Sequence, residues 1–198
     1  MNFKVKDHYF HKAKKENFLA RSVFKLEEID QKFKILRKHD WVLDLGYHPG
    51  SWIQYTAKVV GPEGFVIGID IKDIQRGLET FPNVKLWHRD AFALTELSDL
   101  GLTKPLDVVL SDMAPNTSGN KTVDQLGSLN LVEKVFSLLP IFLKSGGNFA
   151  IKVFESNEAQ KFLKSQLKNL FEEHHYFRPK STRSTSTEFF VIGKKFKA

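Results

Sequence analysis

The chain has 198 residues, of which 30 are Lys or Arg and 23 are Asp or Glu, so its formal net charge is +7. It contains no cysteine, which excludes a disulfide framework and a cysteine-based metal site. It has no run of about 20 apolar residues that could form a transmembrane helix. This length suits one domain with a sizeable core, and we expect a cytoplasmic protein.

Two helices are predicted near the start of the chain, over residues 7–16 and 21–33. The first is basic, and the second places apolar residues at helical spacing. Lys25 lies in the second helix. From periodicity alone it would be a surface lysine that pairs with Glu27 or Glu28.

From residue 41 onward, short apolar strands alternate with helices, which is typical of a parallel sheet covered on both faces. The strands are predicted at 41–44, 65–70, 84–87, 107–111, 148–154, 173–178 and 188–194, and the main helices at 51–60, 123–143 and 155–171. The fold class is therefore α/β: a single Rossmann-like domain with a mostly parallel seven-stranded sheet and an antiparallel C-terminal edge hairpin. Residues 1–38 would form basic N-terminal helices and residues 39–198 the core.

The charge is unevenly distributed over these elements. Residues 1–38 contain eleven basic and five acidic side chains, residues 39–160 ten and fifteen, and residues 161–198 nine and three. Two basic ends around an acidic middle are typical of a face that binds a polyanion, although solvated helices can give the same pattern.

The stretch from 41 to 52, WVLDLGYHPGSW, joins the first strand to the next helix through a glycine-bearing loop. Its spacing is D-x-G-x-x-P-G, whereas a dinucleotide site requires G-x-G-x-x-G. Pro49 removes a backbone N–H donor, which suits a phosphate poorly. A cofactor without phosphates, such as S-adenosylmethionine (SAM), fits better. An ordinary strand–helix turn with Asp44 as a solvated or capping carboxylate is the alternative.

Four consecutive strands end at or lead to an aspartate: Asp44, Asp70, Asp90 and Asp112. Ligands of open α/β sheets bind at the carboxyl ends of the strands, so these acids should meet at one edge. Asp70 would accept hydrogen bonds from ribose hydroxyls of SAM, and Asp90 could read the adenine amino group. Asp112 would lie near the cationic sulfonium. Each acid taken alone could be a strand-end cap.

Lys152 lies inside the apolar strand FAIKVF, where a lysine without a partner is costly to bury. Buried lysines titrate readily, which is how they become bases. The alternative is a lysine whose ammonium reaches solvent at a strand end. A functional role is favoured because perturbed groups at strand ends cluster in sites. Glu188, which opens the strand EFFVIG, is a plausible partner for a lysine.

Together these motifs resemble the FtsJ-type (RlmE-type) ribose 2′-O-methyltransferases over about residues 7–193. The matching stretches are RSVFKLEEI, DLGYHPGSW, GID, LSDMAPNTSG, IKVF and RPKSTRSTSTEFFV. The resemblance implies a catalytic tetrad of Lys25, Asp112, Lys152 and Glu188. It also implies cofactor contacts at Gly50, Trp52, Asp70, Asp90 and Asp112. The expected cofactor is SAM without a metal. The expected substrate is a uridine of large-subunit ribosomal RNA (rRNA) in the ribosomal subunit, methylated by a monomer.

Three positions depart from the family pattern. Tyr47 and His48 stand where two small residues are usual, and we expect them to crowd or reshape the methionine end of the pocket. Ser51 replaces a glycine common in the bacterial rRNA enzymes. Phe190 replaces a usual tyrosine, so any hydroxyl contact there is lost.

The expected reaction is an in-line displacement of the SAM methyl group by a ribose 2′-oxygen, with Lys152 accepting or orienting the hydroxyl proton. Tyr9 or Phe10 would stack on a base. The residues expected to contact RNA phosphates lie near the two basic ends: Lys12, Lys14, Lys15, Arg21, Arg178, Lys180 and Arg183.

Three other functions are compatible with parts of the sequence. A nicotinamide-dependent oxidoreductase shares the first strand and Asp70 but lacks the glycine motif and gives Lys152 no role. A non-catalytic RNA-binding module on a methyltransferase fold would not need all four tetrad positions. A transfer RNA (tRNA) anticodon-loop methyltransferase is the alternative within the same chemistry, because the P-G-S-W variant occurs among such relatives.

Overall fold

The computed structural model describes residues 8–75, 77–78, 80–116 and 118–197. The first residue of the predicted helix 7–16 lies outside these ranges. Among the described residues, no helix combines the length and the apolar character needed to cross a membrane.

Seven strands form one sheet, which confirms the predicted α/β class. They are β1 Trp41–Leu45, β2 Phe65–Asp70, β3 Val84–His88, β4 Leu106–Ser111, β5 Leu143–Phe154, β6 Phe171–Phe177 and β7 Glu188–Phe196. Their order across the sheet is β3-β2-β1-β4-β5-β7-β6. Strands β1 to β5 are parallel, whereas β7 is antiparallel to both β5 and β6. The C-terminal hairpin is therefore confirmed, and its second strand lies between β5 and the edge strand β6.

Helices cover both faces of the sheet. They are α1 His8–Lys15, α2 Val23–Phe33, α3 Ser51–Val60, α4 Lys121–Phe142 and α5 Asn157–Leu170. Leu26 of α2 and Ile53 of α3 are buried in the core on one face. Val135 of α4 and Leu163 of α5 are buried in the core on the other. Because apolar residues recur at helical spacing, these four helices each bury one side against a sheet made of apolar strands. Helix α1 instead packs Ala13 against Val23 and Phe24 of α2.

Strand β5 begins five residues before its predicted start at 148. Leu143 pairs with Leu106, the register then shifts, and Asn148 pairs with Val108. Gly146 lies in this interval with φ of +77°, a conformation that glycine adopts without steric cost. Gly146 and Gly147 therefore accommodate an irregularity within the strand and do not end it.

The connection between β3 and β4 contains two short 3₁₀ helices that the sequence did not predict, Ala91–Ala93 and Leu97–Leu100. Such elements are too short to give a periodic signal. The Asp90 carboxylate accepts a hydrogen bond from the Phe92 N–H and so caps the first of them.

Helix α2 is tied to the rest of the core through a buried acid. One oxygen of Asp30 accepts from the Leu36 N–H at 3.0 Å, and the other accepts from the Tyr55 hydroxyl at 3.1 Å. Burial, followed by the charge of Asp30, raises the pKa of Tyr55. Residues 23–33 are thereby held against α3, which fixes the position of Lys25 over the sheet.

Candidate active site

A pocket of about 360 Å³ lies at the carboxyl ends of the parallel strands. Its walls come from the segments that follow β1, β2, β3 and β4, as expected for an open α/β sheet. We call it the carboxyl-edge pocket. It is lined by Gly46, His48, Ile69, Asp70, Ile71, Lys72, Arg89, Asp90, Ala91, Phe92, Asp112, Met113, Ala114, Asn116 and Leu131.

The loop after β1 is fastened to the end of β2. The Asp70 carboxylate accepts from the His48 N–H at 3.0 Å with one oxygen and from the Lys72 N–H at 2.9 Å with the other. Gly46 has φ of +76°, and a Cβ there would lie 2.3 Å from Met113 Cγ. Both the backbone conformation and the close approach of the loop after β4 therefore require glycine.

Asp44, at the end of β1, has no exposed surface. Within the described chain, neither of its carboxylate oxygens has a hydrogen-bond partner. Burial raises the pKa of Asp44 well above its ordinary value, and the charges of Asp112 and Asp70 raise it further. An unpartnered buried acid beside two others suits a cationic ligand. The sequence predicted this acid at the strand end but gave no sign of its complete burial.

Lys152 points to the end of β4, where it meets Asp112. Its ammonium lies 3.0 Å from Asp112 Oδ1 and donates at 2.5 Å to the Asp112 carbonyl. The Lys152 side chain is only 8% exposed. The alternative of a solvated strand-end lysine is therefore wrong. Asp112 also lines the carboxyl-edge pocket, so this pair stands at the pocket wall.

Lys25 forms the second lysine–carboxylate pair, with Glu188 at 2.5 Å. Both side chains are largely buried, at 13% and 10% exposure. The expectation from periodicity, a surface lysine paired with Glu27 or Glu28, is therefore wrong. It failed because helical spacing carries no information about the distant C-terminal strand that contacts α2.

The two pairs lie on the same face of the sheet. In the β5–β7 ladder, Phe154 is opposite Glu188 and Lys152 is opposite Phe190, so Lys152 and Glu188 are diagonal neighbours on one face, with Cα atoms about 7–8 Å apart. Lys25 lies 5.8 Å from the centre of the Phe190 ring. The four tetrad residues are thus brought together from α2, β4, β5 and β7.

Glu188 is positioned by the loop of residues 178–187. The Arg178 guanidinium donates to the Glu188 carbonyl at 3.3 Å and to the Arg183 carbonyl at 3.4 Å, and it also donates to the Ser186 carbonyl. It therefore holds the loop together through three carbonyls. Sequence reasoning had assigned Arg178 only to RNA contact.

The same loop is attached to α2. The Glu28 carboxylate accepts from the Lys180 N–H at 2.7 Å and from the Ser181 N–H at 2.9 Å. The Arg21 guanidinium donates to the Ser181 carbonyl. These bonds hold the element that carries Lys25 against the element that carries Glu188. No pattern in the sequence indicates this role of Glu28.

Gly50 and Trp52 do not line the carboxyl-edge pocket. A Cβ at Gly50 would lie 2.3 Å from Leu78 Cδ1. The Trp52 side chain is buried, donates from its ring to the Ser22 carbonyl at 2.8 Å, and packs 5.8 Å from the Phe190 ring. Their predicted contacts with the cofactor stay predictions, whereas Asp70, Asp90 and Asp112 all line the pocket.

The three departures from the family pattern are accommodated in the fold. Tyr47 is buried in the core and does not line the pocket, whereas His48 does. Ser51 Oγ lies 3.0 Å from Ser22 Oγ, which ties α3 to the start of α2. Phe190 is fully buried, so the position of the usual tyrosine is occupied by a packed ring.

The other residues expected to contact RNA lie on the surface around α1 and the loop 178–187. Lys12 is 3.9 Å from both Glu16 and Glu27. Tyr9 packs 5.6 Å from Phe24, and the Arg21 guanidinium lies over its ring, while Phe10 is 40% exposed. Among the described residues, no group of three His, Asp or Glu side chains could hold a metal ion.

Comparison with known sequences supports the resemblance to the FtsJ-type methyltransferases. The sequence model of the FtsJ-like methyltransferase family matches residues 18–196. A ribosomal RNA large subunit methyltransferase E from Desulfatibacillum aliphaticivorans is 46% identical over 190 residues, which is 95% of this chain and 89% of the relative. The protein of the same name from Bdellovibrio bacteriovorus is 42% identical over 193 residues, which is 98% of each chain.

Solved structures share the fold. A crystal structure described as a ribosomal RNA methyltransferase from Plasmodium falciparum has a TM-score of 0.76 and 27% identity, covering 90% of this chain and 98% of its own. Fibrillarin from Aeropyrum pernix, solved with natively bound S-adenosyl-L-methionine, has a TM-score of 0.65 at 15% identity, covering 87% of this chain and 76% of its own. The latter likeness shows the fold alone.

Proposed function

The chain belongs to the FtsJ-like methyltransferase family, and on that premise we propose that it transfers a methyl group from SAM to a ribose 2′-oxygen of RNA. The observation that carries this proposal is the joining of two buried lysine–carboxylate pairs beside the carboxyl-edge pocket. Lys152 pairs with Asp112 and Lys25 with Glu188. The substrate we propose is a uridine of large-subunit rRNA in the ribosomal subunit.

The substrate assignment is supported by the relatives. Proteins 46% and 42% identical to this chain bear the name ribosomal RNA large subunit methyltransferase E. The anticodon loop of a tRNA is the second candidate, because the loop of residues 46–52 has the P-G-S-W form. We further propose that the protein acts as a monomer in the cytoplasm.

The carboxyl-edge pocket fits SAM in its charge. SAM is cationic at its sulfonium and its ammonium, and Asp112 is an acid of the pocket wall. Asp44 is fully buried close to Asp112 and Asp70 and does not line the pocket itself. Asp70 and Asp90 line it as well. Carboxylates of this kind accept hydrogen bonds from ribose hydroxyls and from an amino group. When bound, SAM supplies an electrophilic methyl group.

Lys152 is the residue we assign to the 2′-hydroxyl. A hydroxyl is a weak nucleophile and must lose its proton as its oxygen attacks. The Lys152 Nζ is held at Asp112 by an ion pair with the carboxylate and a hydrogen bond to the carbonyl. An ammonium held in this way can orient the hydroxyl oxygen. In its neutral form, Lys152 accepts the hydroxyl proton at Nζ.

The pair of Lys25 and Glu188 forms the other side of the substrate position. Its low exposure excludes most water, which strengthens the electrostatic interactions around the attacking oxygen. The rigid packing of the pair also restricts the orientation of the ribose. Positioning of the oxygen in line with the methyl group supplies a large part of the rate.

The decisive experiment measures transfer of radiolabel from SAM to isolated large ribosomal subunits, deproteinised large-subunit rRNA and bulk tRNA. Wild type, Lys152→Ala and the control Lys38→Ala are compared; Lys38 is an exposed lysine before β1. We expect 2′-O-methyluridine in ribosomal subunits, an unchanged rate for Lys38→Ala, and a loss of roughly 10²–10⁴-fold for Lys152→Ala, the usual contribution of a general acid or base.

Each other outcome has a defined meaning. Label in tRNA would retain the chemistry and change the substrate. Full activity of folded Lys152→Ala would refute the assignment of that residue. Binding of NAD without binding of SAM or S-adenosylhomocysteine, measured by calorimetry, would refute the methyltransferase proposal. Binding of SAM with no label in any RNA would favour the non-catalytic module.

A further inference from the structure

The outer end of the sheet is uncovered on the face that α4 and α5 pack against. Five consecutive residues of the edge strand β6, 172–176, are exposed. Beside them lies an open groove of about 740 Å³, between α5 and the strands β6 and β7. This volume is within the range of about 300–1,000 Å³ typical of ligand sites. We call it the α5–β6 groove, and the residues used below are Lys164, Lys168, His174, Tyr176, Arg178 and Phe189.

The floor of the groove is a row of aromatic rings. The Tyr176 ring lies 6.3 Å from the His174 ring and 5.9 Å from the Phe189 ring. Tyr176 is 50% exposed although it lies in a strand. Exposed aromatic rings on an uncovered surface are typical of binding sites, and their flat faces can stack on unpaired nucleobases.

The wall of the groove is cationic. Lys164 and Lys168 are one turn apart on α5, and neither forms an ion pair within the described residues. Arg178 adds a third positive charge, whereas Glu155 is the acid among the lining residues. Unpaired lysines in the same groove as exposed aromatic rings match a partner that carries both phosphates and bases.

The groove also starts next to the tetrad. Arg178 donates to the Glu188 carbonyl at 3.3 Å, and the Glu155 N–H donates to the Thr187 carbonyl at 3.1 Å. Phe189 directly follows Glu188. The groove and the Lys25–Glu188 pair therefore lie on opposite faces of the same end of β7. One continuous polymer could pass around the loop of residues 178–187 and occupy both.

We propose that the α5–β6 groove binds a single-stranded segment of the substrate RNA that flanks the methylated nucleotide, with its phosphates on Lys164 and Lys168 and a base on Tyr176. This proposal rests on the proposed RNA methyltransferase function. It assigns RNA contact to a surface remote from α1, where the sequence predicts phosphate contacts at Lys12, Lys14 and Lys15.

The first test is a charge reversal on the groove wall. The double variant Lys164→Glu/Lys168→Glu is compared with a control of equal charge change, Lys38→Glu/Lys104→Glu, whose exposed lysines precede the central strands β1 and β4 at their amino ends. Binding to deproteinised large-subunit rRNA is measured by filter retention over a range of salt. We expect the groove variant to bind at least tenfold more weakly and the slope of log K against log salt to fall by roughly 1.5, because each lost phosphate contact removes about 0.7–0.9.

The second test isolates stacking. Tyr176→Ala removes the exposed ring, and Tyr176→Phe retains it without the hydroxyl. One lost stack weakens RNA binding by roughly five- to hundredfold, so we expect that loss for alanine and near wild-type binding for phenylalanine. Affinity for SAM is expected to stay unchanged in all these variants, because the groove and the carboxyl-edge pocket share no lining residue.

Two outcomes would overturn the inference while leaving the proposed function intact. In the first, the groove variants bind rRNA and transfer methyl groups like the Lys38→Glu/Lys104→Glu control. In the second, they bind deproteinised rRNA normally but lose methyl transfer only on ribosomal subunits, which would assign the groove to a protein partner. Failure of wild type itself to methylate any RNA would instead refute the proposed function.

Discussion

The two halves of the sheet contribute different chemistry to the candidate site. Strands β1 to β4 present Asp44, Asp70, Asp90 and Asp112 at or just after their carboxyl ends. Strands β5 and β7, with α2 above them, present Lys152, Glu188 and Lys25. The acidic half is built from the contiguous middle of the chain, whereas the other half joins β5 to one element from each of the two basic ends, α2 and β7. Cofactor binding and RNA handling can therefore be altered separately.

The largest difference between the loss of methyl transfer and the loss of SAM affinity is expected from Glu188→Gln. The substitution preserves shape but leaves the Lys25 ammonium, at 13% exposure, without its counter-charge. We expect methyl transfer at saturating SAM to fall roughly hundredfold or more, with affinity for SAM within about twofold of wild type. Single-turnover kinetics and calorimetry measure the two quantities. Equal losses in both would mean that the two halves of the sheet do not act separately.

The opposite result, a loss of SAM affinity without a loss of RNA affinity, is expected from Asp70→Asn. Asp70 lines the carboxyl-edge pocket and accepts two backbone hydrogen bonds that hold the loop after β1. Loss of charge-assisted hydrogen bonds should weaken binding of SAM by roughly ten- to hundredfold, while RNA affinity stays the same. Asp73→Asn, an exposed acid three residues away, is the control. Weaker RNA binding by Asp70→Asn would contradict the separate roles of the two halves of the sheet.

A smaller effect is expected from Arg178→Ala. Removal of three hydrogen bonds to loop carbonyls should loosen the segment that leads into Glu188. We expect methyl transfer to fall about tenfold, with a Tm lower by a few degrees. Arg178→Lys retains the charge but not the forked donor geometry. If lysine restored full activity, Arg178 would act through its charge alone.

The smallest effect concerns stability and pH. The pKa of Asp44 is raised in the folded protein by burial and by neighbouring acids, so the folded chain retains a proton that the unfolded chain releases above an ordinary pKa of 3.8. Rising pH therefore favours unfolding of wild type through this group, and that contribution is absent in Asp44→Asn. Between pH 5 and pH 8 we expect the Tm of cofactor-free Asp44→Asn to rise relative to wild type by a few degrees. Parallel Tm curves would contradict this.

Local patterns were sufficient to predict most of the fold. The predicted strand 65–70 and helix 51–60 coincide with β2 and α3, because a short apolar run and a Gly-Pro stop are signals within the segment itself. The start of β5 and the two 3₁₀ helices were missed, since they depend on pairing with β4 and on turns shorter than one period.

The candidate site was predictable where its residues follow strands. Asp70, Asp90, Asp112 and Lys152 occupy strand ends or an apolar run, which makes their types conspicuous. The partnership of Lys25 with Glu188 could only be guessed from resemblance, because it depends on how α2 crosses the sheet. The bracing roles of Glu28 and Arg178 depend on backbone atoms of a distant loop, and no residue pattern encodes them.

The attachment of the loop 178–187 to α2 has a consequence during synthesis. Glu28 bonds Lys180 across 152 residues of chain, and Glu188 follows Lys180 later still. Once Asp112 has been translated, all the acids of the carboxyl-edge pocket are present. Lys25, however, lacks its ion-pair partner until Glu188 has been translated. A chain interrupted before β7 therefore lacks both the partner of Lys25 and the strand that joins β5 to β6.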